Sequence, residues 1–163
     1  MTLKLIAVLL TVGGCFSVGV LLSANEQRTI SNTAAFLGLI EYIKMKITYS
    51  RMPLFEIISS YSDPRLDSFK SSVLYGDETR ITPEKWCDAV SASVLKDCVK
   101  SELIAFGSDI GTIDSESQLV KAESCAEYLK QYILASSAET AQKSKMYRAI
   151  ATLTGFMIVI FLF

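Results

Sequence analysis

The sequence predicts an all-α protein: a helical bundle of five to six helices flanked by an N-terminal and a C-terminal transmembrane helix. Three observations predict it. Apolar residues recur at intervals of three and four through the middle of the chain, the period of a helix buried on one face. Helix-start signals recur at Ser62-Asp63-Pro64, Thr82-Pro83-Glu84 and Asp114-Ser115. No segment shows the apolar–polar alternation between hairpin turns that marks a strand. Half of the 163 residues are apolar, mean hydropathy is +0.35, and the apolar excess sits at the two ends.

Taken in order, Leu5–Leu22 is a run without a charged side chain, long enough to span a hydrocarbon core of about 30 Å. It reads as a retained helix, with a cleaved signal peptide or a lipoprotein box at Val12-Gly13-Gly14-Cys15 as the alternatives. Cys15, Gly19 and Ser23 form a small-residue stripe on which another helix could pack closely. Ile30–Tyr49 reads as the first amphipathic helix, with Phe36, Ile40, Ile43 and Ile47 on its apolar stripe. Tyr49–Met52 is a tight connection, and Pro53 suits the first position of a second helix carrying Leu54, Ile57, Ile58 and Tyr61.

Ser62-Asp63-Pro64 starts a helix with Leu66, Phe69 and Val73, stopped by Gly76. Thr82-Pro83 starts the next, with Trp86, Ala89 and Val90. Leu95, Val99, Leu103 and Phe106 make a further stripe that Gly107 is expected to close in the C′ position. Gly107–Ile113 reads as a loop. Asp114 or Ser115 then caps a long helix running to Phe163, with Ser115 and Gln118 fitting a capping box. Its expected core seam is Leu119, Ala122, Ala126, Leu129 and Ile133. Its middle is a polar, basic neck containing Lys143, Lys145 and Arg148, and Ile150–Phe163 is a second run without a charged side chain. The expected division is therefore an N-terminal transmembrane helix (1–23), a bundle domain (24–145) and a C-terminal transmembrane helix (146–163).

Composition excludes several functions. Lys+Arg number 16 against Asp+Glu 17, mixed along the chain, so no basic block marks nucleic-acid binding. There is no histidine, and the four cysteines, Cys15, Cys87, Cys98 and Cys125, form no metal-ligand spacing. Gly76–Arg80 lacks the Lys-Ser/Thr of a P-loop, and Gly107–Gly111 lacks the third glycine and the preceding strand of a dinucleotide fingerprint. Cys98 and Cys125 have no evident base partner. The sequence points to no catalytic residue, cofactor or metal, and the core spacing of Phe36, Tyr61, Phe69, Trp86 and Phe106 assigns these aromatic residues to packing, with an interface anchor as the alternative for a surface Trp86.

Three segments, in order, resemble the stage III sporulation protein AB family. "FLGLIEYIKMKITYSRMPLFEIISSY" (Phe36–Tyr61) is similar to that family's helix–Pro-Leu–helix hairpin. "FGSDIGTIDSESQLVKAESCAEYL" (Phe106–Leu129) is similar to its Phe-Gly, Leu-Gly, Ser/Asp, Gln segment, with Gly107, Gly111, Asp114 and Gln118 in matching places. "KSKMYRAIATLTGFMIVIFLF" (Lys143–Phe163) resembles its basic neck and terminal anchor. Met52 stands where the family usually has Thr before the proline, which weakens that cap.

The resemblance implies a membrane component of the machine assembled between mother cell and forespore. Its bundle would be similar to one helical domain of type II secretion and type IV pilus platform proteins, and would face the mother-cell cytoplasm from the outer forespore membrane. The implied partners are a secretion-type ATPase and other stage III sporulation complex proteins. Because secretion platforms carry two such domains, two copies pairing as a homodimer would restore the doubled arrangement. Lys143, Lys145 and Arg148 on the domain side of the second anchor argue for a cytoplasmic bundle. Lys4, lying beyond the first anchor, argues weakly the other way.

The leading expectation is a non-catalytic docking component. Its expected contact regions are the turn Met52, Pro53, Leu54 and Phe55, the Gly107–Asp114 loop with Gln118, and the neck with Lys143, Lys145 and Arg148. The alternative from another class is an extracytoplasmic anchored or lipoprotein-type scaffold.

Overall fold

The computed structural model describes the backbone of residues 2–50, 52–76, 81–110 and 115–162. Side chains are described within these ranges except at 2–23, 115, 144, 147–148, 151–152, 155–156 and 158–162. Among the described residues there are six α-helices and no strand. They are α1 (Thr2–Ser50), α2 (Leu54–Ser60), α3 (Asp67–Val73), α4 (Pro83–Ala92), α5 (Asp97–Ser108) and α6 (Ser115–Leu162), with a 3-10 turn at Pro64–Leu66. The all-α class read from the sequence is the class observed. By contacts the chain divides into two compact units, Thr29–Leu134 and a second made of Met1–Arg28 with Ala135–Phe163. Among the described residues no helix is long and apolar enough to cross a membrane.

Local chemistry explains where the helices begin. Asp63 has extended backbone, and its carboxylate accepts from the Arg65 amide at 3.0 Å, with Pro64 in the first helical position. Thr82 repeats the device, its hydroxyl accepting from the Lys85 amide ahead of Pro83. Four sequence expectations are corrected. No break separates the first apolar run from the amphipathic helix, because Ser23–Thr29 contains neither proline nor glycine, and both belong to the one helix α1. Pro53 stands one position before α2, with extended backbone. Gly107 lies inside α5 and is buried; it is not a left-handed C′ residue. In α6, Cys125 takes the buried place expected of Ala126, so the seam is Ala122, Cys125 and Leu129. Gly76 does adopt a positive φ of 108°, three residues beyond the end of α3.

The core of the Thr29–Leu134 unit draws on every helix. Phe36, Leu39, Ile40 and Ile43 of α1 meet Ile57 and Ile58 of α2, Phe69 of α3, Trp86 and Val90 of α4, Val99 and Leu103 of α5, and Leu129 of α6. Edge-on aromatic contacts link Phe36 to Phe69 (4.9 Å), Phe69 to Trp86 (5.1 Å) and Trp86 to Phe106 (5.6 Å). Helices as short as α2 and α3 are marginal alone, and packing of their apolar faces stabilises them.

The ends of the short helices are tied by lysines placed at equal intervals along the chain. Lys70 donates to Ser59 O in the last turn of α2 and to the Tyr61 carbonyl just past it. Lys85 donates to Tyr75 O beyond α3 (3.2 Å), and Lys100 donates to Ser91 O at the end of α4 (2.7 Å). Each ammonium satisfies carbonyls that a helix end leaves unpaired.

Within this unit α1 and α6 run antiparallel. Lys44 pairs with Glu123 at 2.5 Å, while Ile47 and Gln118, further toward the C-terminal end of α1 and the start of α6, line one cleft. Arg65 donates to the Ser31 carbonyl, and Asn32 donates to the Val94 carbonyl, at the Thr29 end. Thr29 and Leu134, where the chain enters and leaves the unit, therefore share one end. The connections after α1, α3 and α5 lie at the other.

Candidate functional site

Two of the three regions singled out in the sequence come together at that other end. Leu54, at the start of α2, and Asp109 and Ile110, just past α5, border the same cleft as Gln118 of α6. Ile43, Ile47 and Phe106 line it as well, and Lys121 stands at its edge in an ion pair with Asp109. The site is an apolar floor with a polar rim of one amide and one paired charge. Met52 and Phe55 are half-buried and Pro53 is exposed. The matching of Leu54 with Gln118 follows from the antiparallel run of α1 and α6, which no local sequence pattern records.

Gly107 does not contribute a flexible loop to this end. It fixes the last turn of α5 against α4, where the Trp86 indole N–H donates to the Leu103 carbonyl at 2.8 Å. Gly111, Asp114 and Arg148 lie outside the described residues or side chains. Lys143 and Lys145 belong to the second unit. Both are exposed, and Lys143 pairs with Glu139 one turn earlier on α6, at 2.6 Å.

The sequence reading missed the most exposed apolar groups. Tyr49 and Tyr75 are 83% and 82% exposed. Tyr49 ends α1 off its buried stripe, and Tyr75 precedes Gly76 in the turn that Lys85 holds. The signal was present, since Tyr49 falls outside the Phe36–Ile47 register and Tyr75 borders a glycine turn.

Among the described residues no three His, Cys, Asp or Glu side chains are grouped to hold a metal. Burial pushes the Cys125 thiol up to about 12, which removes it as a nucleophile near neutral pH. Asp63 is held below the usual carboxylate range by its hydrogen bonds to Arg65, which makes it a structural clamp.

Compared with known families, residues 4–163 match the family model described as stage III sporulation protein AB. Searches of curated proteins and of solved structures found no match.

Proposed function

The chain therefore belongs to the stage III sporulation protein AB family, which implies a role in sporulation, and from that premise we propose that it is a non-catalytic platform component. In this reading its bundle docks a secretion-type ATPase and other stage III sporulation proteins at the mother-cell membrane that surrounds the forespore. The observation that carries the proposal is the convergence of the Leu54 turn, the end of α5 and Gln118 at one end of the bundle, away from Thr29 and Leu134. A docking component needs such a surface of loops and helix ends held by a packed core.

Membrane attachment rests on the sequence of two runs, Leu5–Leu22 and Ile150–Phe163, whose side chains lie mostly outside the described ones. Support comes from Ile150, Leu153 and Met157, which are apolar and more than half exposed, as contact with hydrocarbon requires. The basic Lys143 and Lys145 beside the second run support a cytoplasmic bundle by the positive-inside rule.

Co-purification tests the docking role. The full-length chain, extracted from sporulating cells in mild detergent, should retain the ATPase encoded in the same operon. A preparation from which that ATPase is absent, with the other membrane proteins of the complex present, would contradict it.

A further inference from the structure

The end of the bundle opposite Thr29 and Leu134 carries more than the cleft. Tyr49 closes α1 there, and Tyr75 sits in the turn that Lys85 of α4 holds by its carbonyl. That places Tyr75 beside the start of α4, whose Trp86 touches Phe106 near the end of α5. Met52 and Pro53 lie between α1 and α2, and Val120, near the start of α6, is 63% exposed. Exposed tyrosine side chains around an apolar cleft are the composition of protein-binding surfaces, and isolated tyrosines this exposed have no packing role.

Charge identifies the occupant. Residues 29–134 contain 15 Asp and Glu against 11 Lys and Arg. Several of the cations are held against the protein itself. Lys70, Lys85 and Lys100 are turned onto backbone carbonyls, while Lys44, Arg65 and Lys121 are paired with Glu123, Asp63 and Asp109. Near this end Lys46 lies over the Tyr42 ring, 5.4 Å from its centroid. Three glutamates are in none of these pairs. Glu56, Glu84 and Glu116 occupy the first turns of α2, α4 and α6, the three helices that start at this end, and all are exposed. A second copy docking here would set glutamate against glutamate, and an anionic lipid surface or a nucleic acid would be repelled.

We propose that this tyrosine-bearing, acidic end is the docking surface for a protein partner whose contact face is rich in Lys and Arg. The inference rests on the docking reading above and assigns the ATPase contact to this end of the bundle, through a basic face on the ATPase.

The test uses the full-length chain in detergent with the purified ATPase of the same operon, and measures binding against salt for the wild type and two sets of variants. Tyr49→Ala, Tyr75→Ala and the triple reversal Glu56→Lys, Glu84→Lys, Glu116→Lys alter exposed groups, and unchanged helical circular dichroism and melting verify the fold. Each tyrosine truncation is expected to weaken binding by about tenfold. The triple reversal should abolish it, and wild-type affinity should fall as salt rises. Asp67→Lys and Val94→Ala, at the Thr29 end, should stay within about twofold of wild type. Binding that survives the tyrosine and glutamate changes overturns this assignment and leaves the docking function standing. Absence of binding by the wild-type chain overturns both.

Discussion

The indole of Trp86 lies directly on the backbone of Gly107. A β-carbon built at that glycine would fall 1.9 Å from Cδ1 and 2.3 Å from Nε1 of the ring. The same indole donates its N–H to Leu103 one turn earlier, so α4 and α5 are locked by a single side chain that fits only a bare backbone.

Gly107→Ala must therefore displace a fully buried ring. A cost of about 1–3 kcal/mol or more is expected from overpacking, although alanine favours the helix intrinsically. Trp86 is the only tryptophan in the chain, so its fluorescence reports the site directly. The wild type should emit from an apolar environment, and Gly107→Ala should shift emission to the red and lower the unfolding midpoint in urea. An alanine variant as stable as wild type, with unchanged emission, would refute the interlock.

Gly38 offers a cleaner test of close approach. A β-carbon there would lie 2.5 Å from the Tyr61 hydroxyl oxygen but 3.7 Å from the ring carbon that bears it. Gly38→Ala alone should destabilise the bundle, while Gly38→Ala with Tyr61→Phe should recover most of the loss. The coupling between the two changes, measured by a double-mutant cycle, should fall within about 0.5–3 kcal/mol. Additive effects would show that the hydroxyl is not what excludes the methyl group.

How much of this was legible in the sequence depends on how local the cause is. Thr82-Pro83 and Asp63-Pro64 carry their cap and their constrained backbone in adjacent residues, and both starts form as read. The buried stripes of α1 and α5 follow from spacing alone. Gly107 was legible only as a glycine near a helix end. Its reason is a tryptophan 21 residues earlier, and only the packed bundle brings the two together. The choice of Cys125 over Ala126 in α6 is of the same kind, because adjacent helical positions differ by about 100° and the neighbouring helices select the face. The candidate cleft was half legible. The Met52–Phe55 turn and the segment after Phe106 were marked by proline and glycine, but their meeting at Gln118 depends on the antiparallel pairing of two helices some 70 residues apart along the chain.

Thiol reactivity should separate the cysteines by burial. Cys98 is exposed and Cys125 is buried, its thiol pushed up to about 12. At pH 8 a maleimide or disulfide reagent should modify Cys98 rapidly and leave Cys125 unmodified until urea unfolds the chain. The raised value means that the folded state favours the neutral thiol. This contribution to stability is complete below the unfolded thiol's value of about 8.5 and is lost as pH rises from there toward 12. Fast modification of Cys125 in the folded protein would show that α6 does not pack as described.

The Asp63–Arg65 clamp gives an acid-side prediction. Arg65 donates to Asp63 at 2.6 Å and also to the Ser31 carbonyl at 2.9 Å, joining the 3-10 turn to α1. Hydrogen bonding to Arg65 holds the Asp63 carboxyl below its ordinary value. Its contribution is therefore present above the unfolded value of about 3.9 and is lost as pH falls below that through the folded value. Asp63→Asn should cost about 0.2–1 kcal/mol at neutral pH and flatten the stability profile below about pH 4. An unchanged acid limb would remove the clamp from the account.

The central claim is a docking bundle held on the cytoplasmic face of a membrane by the helices on either side of it. Exposed Cys98 tests it most directly. In intact vegetative cells expressing the full-length chain with Cys15→Ser and Cys87→Ser, a membrane-impermeant maleimide should leave Cys98 unlabelled. It should label the residue once the cells are permeabilised, with the chain still in the membrane pellet after a carbonate wash. Labelling of Cys98 in intact cells, or release of the chain by carbonate, would contradict the account.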